Sequence, residues 1–155
     1  MKITDNGIKK LMSIQKLKIV NNPNITGKGF KNLDLEYLCM CMCKNFINLE
    51  YLSNIKEIIL TGYGMIKDSN FIYLSNVEKL TISSLTDKSI SYLKNIKFLH
   101  ITSKCDLSDL GIIYLQDRYM DTFRTYITKI TYDGAILYLK NIKHVCITNV
   151  YVRNL

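Results

Sequence analysis

Proline occurs once and glycine seven times in 155 residues, so this is not the composition of a linker or a disordered tail. Long apolar runs are missing too, and none approaches the roughly 18 to 20 residues that a membrane helix needs. The opening Met1-Lys2-Ile3-Thr4-Asp5 lacks the apolar core of a secretory signal. Catalytic signatures are equally scarce. There is no glycine-rich phosphate loop, no nucleophile elbow and no pair of carboxylates at telling positions. The expectation is a single ordered domain over residues 1–155, without enzyme activity.

Cysteine usage argues against a disulfide scaffold. There are five, an odd number, and three of them sit in Cys39-Met40-Cys41-Met42-Cys43. Residues two apart on a strand point the same way but are poorly placed for unstrained disulfide geometry. Free thiols in a reducing, cytoplasmic compartment are therefore expected. On one strand the three thiols would share a face, with Met40 and Met42 turned inward. Such soft ligands suit Cu(I) or zinc, but the spacing is not that of a zinc finger and a fourth ligand is missing. Cysteine also serves as a small apolar residue, so neither a metal nor a cofactor is expected.

What is present is apolar and basic: 48% hydrophobic residues and a formal charge of +8. Ile, Lys, Asn and Tyr are abundant and share AT-rich codons, a bias found in giant DNA viruses and some protists. Leucine recurs at Leu11, Leu33, Leu52, Leu74, Leu93, Leu115 and Leu139, at intervals of 22, 19, 22, 19, 22 and 24 residues. Apolar residues follow each anchor three, six and eight positions later. Leu52, Ile55, Ile58, Leu60 is one such set, and Leu93, Ile96, Leu99, Ile101 another. The second set is one residue short, as Leu33, Leu35, Leu38, Met40. The sixth carries about two extra residues, with Met120 and Phe123 at its core positions.

Period-two alternation at the end of each set, as in Leu17-Lys18-Ile19, predicts a short strand buried on one face. Before each anchor, Thr4-Asp5, Thr86-Asp87, Ser108-Asp109 and Thr131 stand where a helix N-cap belongs. Ile8, Ile90, Ile112 and Ile136 follow, three before the anchor, and should face the core. Asn54, Asn76, Asn95 and Asn141 come just after the anchors and should end each helix in the left-handed conformation.

These sets resemble the leucine-rich-repeat signature LxxLxxLxL. Ile3-Thr4-Asp5-Asn6-Gly7-Ile8-Lys9-Lys10-Leu11 and residues Leu107 to Leu115 are similar to the ITDxGLxxL opening of the cysteine-containing repeats of F-box proteins. The resemblance spans almost the whole chain, although the repeats are shorter than in that subtype and there is no room for an F-box. It implies an α/β leucine-rich-repeat solenoid of about seven repeats. In this right-handed superhelix a parallel sheet lines the concave face and short helices form the convex one. It also implies protein recognition, with a substrate-recognition adaptor as the sharpest version.

The strand pattern places three lanes on the concave face. The central lane is Lys18, Cys39, Ile59, Thr81, His100, Arg124 and Cys146. One flank holds Lys16, Tyr37, Glu57, Lys79, Phe98, Thr122 and His144, and the other Val20, Cys41, Thr61, Ser83, Thr102, Tyr126 and Thr148. Lys18, Tyr37, Phe98, His100, Arg124, Tyr126 and His144 are the candidate partner-binding residues, since aromatics and arginine are favoured interface anchors. Nucleic acid is the alternative partner, reached through the basic surface, but the central lane offers too few cations for a phosphate track. A third reading is assembly through uncapped solenoid ends, including the apolar segment after the last strand.

Overall fold

A computed structural model describes residues 3–62, 66–126 and 129–148. Seven short strands form one sheet: β1 (Lys16–Val20), β2 (Tyr37–Cys41), β3 (Glu57–Thr61), β4 (Lys79–Ile82), β5 (Phe98–Lys104), β6 (Thr122–Tyr126) and β7 (His144–Thr148). Each pairs in parallel with the next in sequence, so spatial order equals chain order. Parallel neighbours need a crossover, and here each crossover carries a short helical segment. Three are α-helices, α2 (Asp87–Ile90), α3 (Asp109–Ile112) and α4 (Tyr132–Tyr138), and a further helix, α1 (Asp5–Ile8), precedes β1. Lys28–Phe30, Leu49–Leu52 and Asp68–Leu74 are 3-10 turns, and a further 3-10 turn, Ile113–Leu115, extends α3.

Three of the four α-helices carry a side-chain cap, and α1 does not. Thr86, Ser108 and Thr131 each accept a bond from a backbone N–H in the first turn of α2, α3 and α4. The three 3-10 turns without a preceding helix have no such side-chain cap.

The core runs between the sheet and the helical segments. The anchors Leu52, Leu74, Leu93 and Leu115 are fully buried, and Ile8, Ile90 and Ile112 are too. Met120 and Phe123 occupy the sixth unit's core positions, so the two extra residues fall between Leu115 and Met120 and push Tyr119 into solvent. Thr125 takes the next inward position and is fully buried, its hydroxyl 3.7 Å from the Cys105 thiol. Ile136 departs from expectation and is exposed. One more residue separates Gly134 from Leu139 than Gly111 from Leu115, so the helix turns Ala135 toward the core and Ile136 away.

The recurring aspartates act across units. Asp5 accepts the Thr26 N–H and hydroxyl at 3.1 and 2.7 Å, and the N–H groups of Gly27 and Gly29. Asp87 accepts the Ser108 N–H and hydroxyl at 2.7 and 2.6 Å. Asp87 thus fixes the cap residue of the next helix, and Asp5 holds the residues that lead into the next 3-10 turn, whereas sequence suggested only capping within their own helices. Glycine completes the fit. A Cβ at Gly111 would lie 2.3 Å from Asp87 Oδ1, so only glycine lets the carboxylate approach this closely.

The asparagines also act across units, and the left-handed expectation is corrected. Among the described residues other than glycine, only Asn21 and Met42 have positive φ. The Asn76, Asn95 and Asn141 amides instead donate to the carbonyls of Ser53, Ser75 and Gln116, each the residue after the preceding anchor. In the sixth unit the Arg118 guanidinium takes this role and donates to the Leu93 carbonyl. Burial disfavours the charged form and lowers the pKa of that arginine.

Candidate functional site

Alternation turns Leu38, Met40, Ile58, Leu60, Leu99 and Ile101 inward and leaves the opposite sheet face open. Strand pairing aligns Lys18, Cys39, Ile59, Thr81, His100, Arg124 and Cys146 as neighbours on that outward face. Tyr37, Glu57, Lys79, Phe98, Thr122 and His144 form the row on one side. Every candidate residue named from sequence therefore lies on the same face.

The third row is corrected at one point. The register slips between His100 and Lys104, so Tyr126 faces Lys104 and not Thr102. β5 is the longest strand, and the irregularity absorbs its extra length.

The candidates divide into two groups. Lys18 and Tyr37 lie on β1 and β2, while Phe98, His100, Arg124, Tyr126 and His144 lie on β5 to β7. Between them β3 and β4 carry Glu57 and Lys79, paired at 3.5 Å, with Ile59, Thr61, Thr81 and Ser83. The second group is the denser. The His100 and Tyr126 rings stand 6.0 Å apart, tilted by 40°, and Arg124 sits beside His100 across the strand pair.

His100 is the most informative member. Its Nε2 is buried and makes no hydrogen bond. Burial lowers the imidazole pKa, and the Arg124 charge lowers it further. At neutral pH the ring is uncharged and carries polar capacity that no protein group uses. Leaving such an atom unmatched is costly, and because it is buried the cost falls on the folded chain itself.

The three-thiol face is overturned. Cys39 and Cys41 do share the outward side, with sulfurs 3.7 Å apart, and Cys41 accepts the Thr61 hydroxyl at 3.1 Å. Met42 then adopts φ 53°, donates its N–H to Thr61 O and turns outward, while Cys43 is fully buried. A left-handed residue just past the strand breaks the alternation on which that expectation rested. Burial raises the Cys39 pKa, with the neighbouring Cys41 adding to it. Among the described residues no three His, Cys, Asp or Glu side chains are grouped to hold a metal ion.

The basic surface is largely neutralised where the strands begin. Glu78 pairs with Lys97 at 2.7 Å and with Lys56 at 3.5 Å, and Asp121 pairs with Lys143 at 2.7 Å. Among the described residues no helix is long and apolar enough to cross a membrane. The apolar segment after β7, residues 150–155, lies outside the described residues. No known family model matches the chain, and no curated protein matches it significantly.

Proposed function

We propose that the chain is a leucine-rich-repeat solenoid of the cysteine-containing, F-box-associated kind, and that it is a non-catalytic module binding a protein on the outward, concave face of its sheet. The observation that carries this is the β5–β7 group. There the His100 ring, the Arg124 guanidinium and the Tyr126 ring adjoin one another on the outward face. Half-buried aromatics beside an arginine are the residue types that dominate binding energy at protein interfaces. The cation and the uncharged imidazole suit a partner segment bearing a carboxylate beside an apolar or aromatic side chain. A substrate-recognition adaptor in the cytoplasm, that of a host cell if the chain is viral, is the sharpest version of this reading.

The two alternatives draw less support. Nucleic-acid binding asks for a continuous cationic track, whereas Lys56, Lys79, Lys97, Lys129 and Lys143 all face carboxylates. Assembly through the ends rests in part on residues 150–155, which lie outside the described residues.

The test is a cross-linked pull-down from host-cell lysate with wild type and a variant altered at Tyr37, His100 and Arg124. A partner held by the wild type and lost by the variant supports the reading. The same proteins recovered with both would remove it.

A further inference from the structure

Exposed apolar side chains concentrate at one end of the helical layer. α3, its 3-10 extension and α4 leave Leu110, Ile113, Tyr114, Tyr132, Ile136 and Leu137 between 41% and 76% exposed. α3 packs beside α4, so the six fall on adjoining elements. At about 200 Å² for a fully exposed side chain of this size, they present about 700 Å² of largely apolar surface. That exceeds the roughly 300–600 Å² of the largest patch on an ordinary monomer. It approaches the ~800 Å² that each partner brings to a standard interface. Tyrosine also precedes the anchor leucine in five consecutive units, at Tyr51, Tyr73, Tyr92, Tyr114 and Tyr138, and this stripe leads into the patch.

Charge selects the occupant. At +8, two copies of the chain repel each other over most of their surface. The patch is different, because neither Asp109 to Leu115 nor Tyr132 to Tyr138 contains a lysine or arginine. The charges there are Asp109, already bonded to Thr131, and Asp133. At the other end of the layer, by contrast, Lys9, Lys28 and Lys31 line one groove. We propose that the α3–α4 face binds the same face of a second copy. A two-fold contact needs only one self-complementary patch, and this one is built from two segments without lysine or arginine while burying the apolar cluster. The outward sheet face stays free in such a dimer.

Sedimentation velocity on the full chain over a hundredfold concentration range tests this. The wild type should pass from monomer to dimer as concentration rises. Ile136→Asp combined with Leu137→Asp should remain monomeric with an unchanged circular dichroism spectrum, since both side chains are exposed. Should that pair unfold, Tyr114→Lys decides the matter, with dimer affinity expected to fall at least tenfold. Tyr126→Ala, on the opposite face, should dimerise like the wild type. A wild type that stays monomeric throughout, or a dimer that survives the folded variants unchanged, would overturn the proposal.

Discussion

The Asp109 carboxylate holds Thr131, 22 residues further along the chain, by two bonds: Oδ1 accepts the Thr131 N–H at 2.9 Å and Oδ2 its hydroxyl at 2.6 Å. Thr131 in turn accepts the Gly134 N–H and so caps α4. The carboxylate thereby orients the residue that starts the next helix. Asp87 with Ser108 repeats the arrangement, while Asp5 binds Thr26 ahead of a 3-10 turn that has no side-chain cap.

Replacing Asp109 by Ala should cost about 2 kcal/mol, the usual range for hydrogen bonds to a charged group. Thr131→Val should cost a similar amount, and the double variant should cost less than the two together. Urea unfolding of the four proteins measures this, and strictly additive losses would show that the two residues act separately.

Gly134→Ala should destabilise the protein, although alanine in a helix ordinarily gains about 1 kcal/mol over glycine. A Cβ there would lie 2.1 Å from Asp109 Oδ1. In an Asp109→Ala background the obstacle is gone, and the same substitution should become neutral or stabilising. Denaturant midpoints of the single and double variants distinguish this from a generic intolerance of alanine.

His100 predicts a pH dependence. Its folded pKa is lowered, first by burial and then by Arg124, so between the folded and unfolded values the unfolded chain binds more protons. The contribution of His100 to stability is complete above its ordinary value near 6.5 and is lost as pH falls from there through the folded pKa. The groups facing the ring include Arg124 and Tyr126. His100→Gln should flatten this segment of the stability curve measured by thermal melting. An unchanged slope would place the effect elsewhere.

Thiol reactivity should follow burial and not sequence position. In the native protein, Cys146 and Cys41 should react readily with a thiol reagent, while Cys39, Cys43 and Cys105 are protected. Mass spectrometry after brief labelling reads the order. Equal labelling of Cys39, Cys41 and Cys43 would mean that the chain does not turn over at Met42.

The strands, their order and the outward rows were legible because they depend on neighbours one or two residues apart. Leu99-His100-Ile101 declares its own faces. The bonds that join units were not legible. Asp87 meets Ser108, and Asn95 meets the Ser75 carbonyl, across some 20 residues of intervening chain, and a local reading sees only a capping aspartate and a turn asparagine. Met42 was missed because nothing in a methionine announces a positive φ. Ile136 was misplaced because one added residue rotates a helix by about 100° and so exchanges its faces. In the candidate site the residues themselves were found from the strand pattern. The unmatched Nε2 of His100 depends on packing with neighbouring strands, which a strand's own alternation does not encode.

The most direct measurement places a photo-crosslinking amino acid at position 122 on the outward sheet face and, separately, at exposed position 88 on the helical layer. Irradiation in host-cell lysate should join one partner to the protein carrying the probe at 122 and leave the protein with the probe at 88 without it. A partner captured from 88 and not from 122 would contradict binding through the sheet.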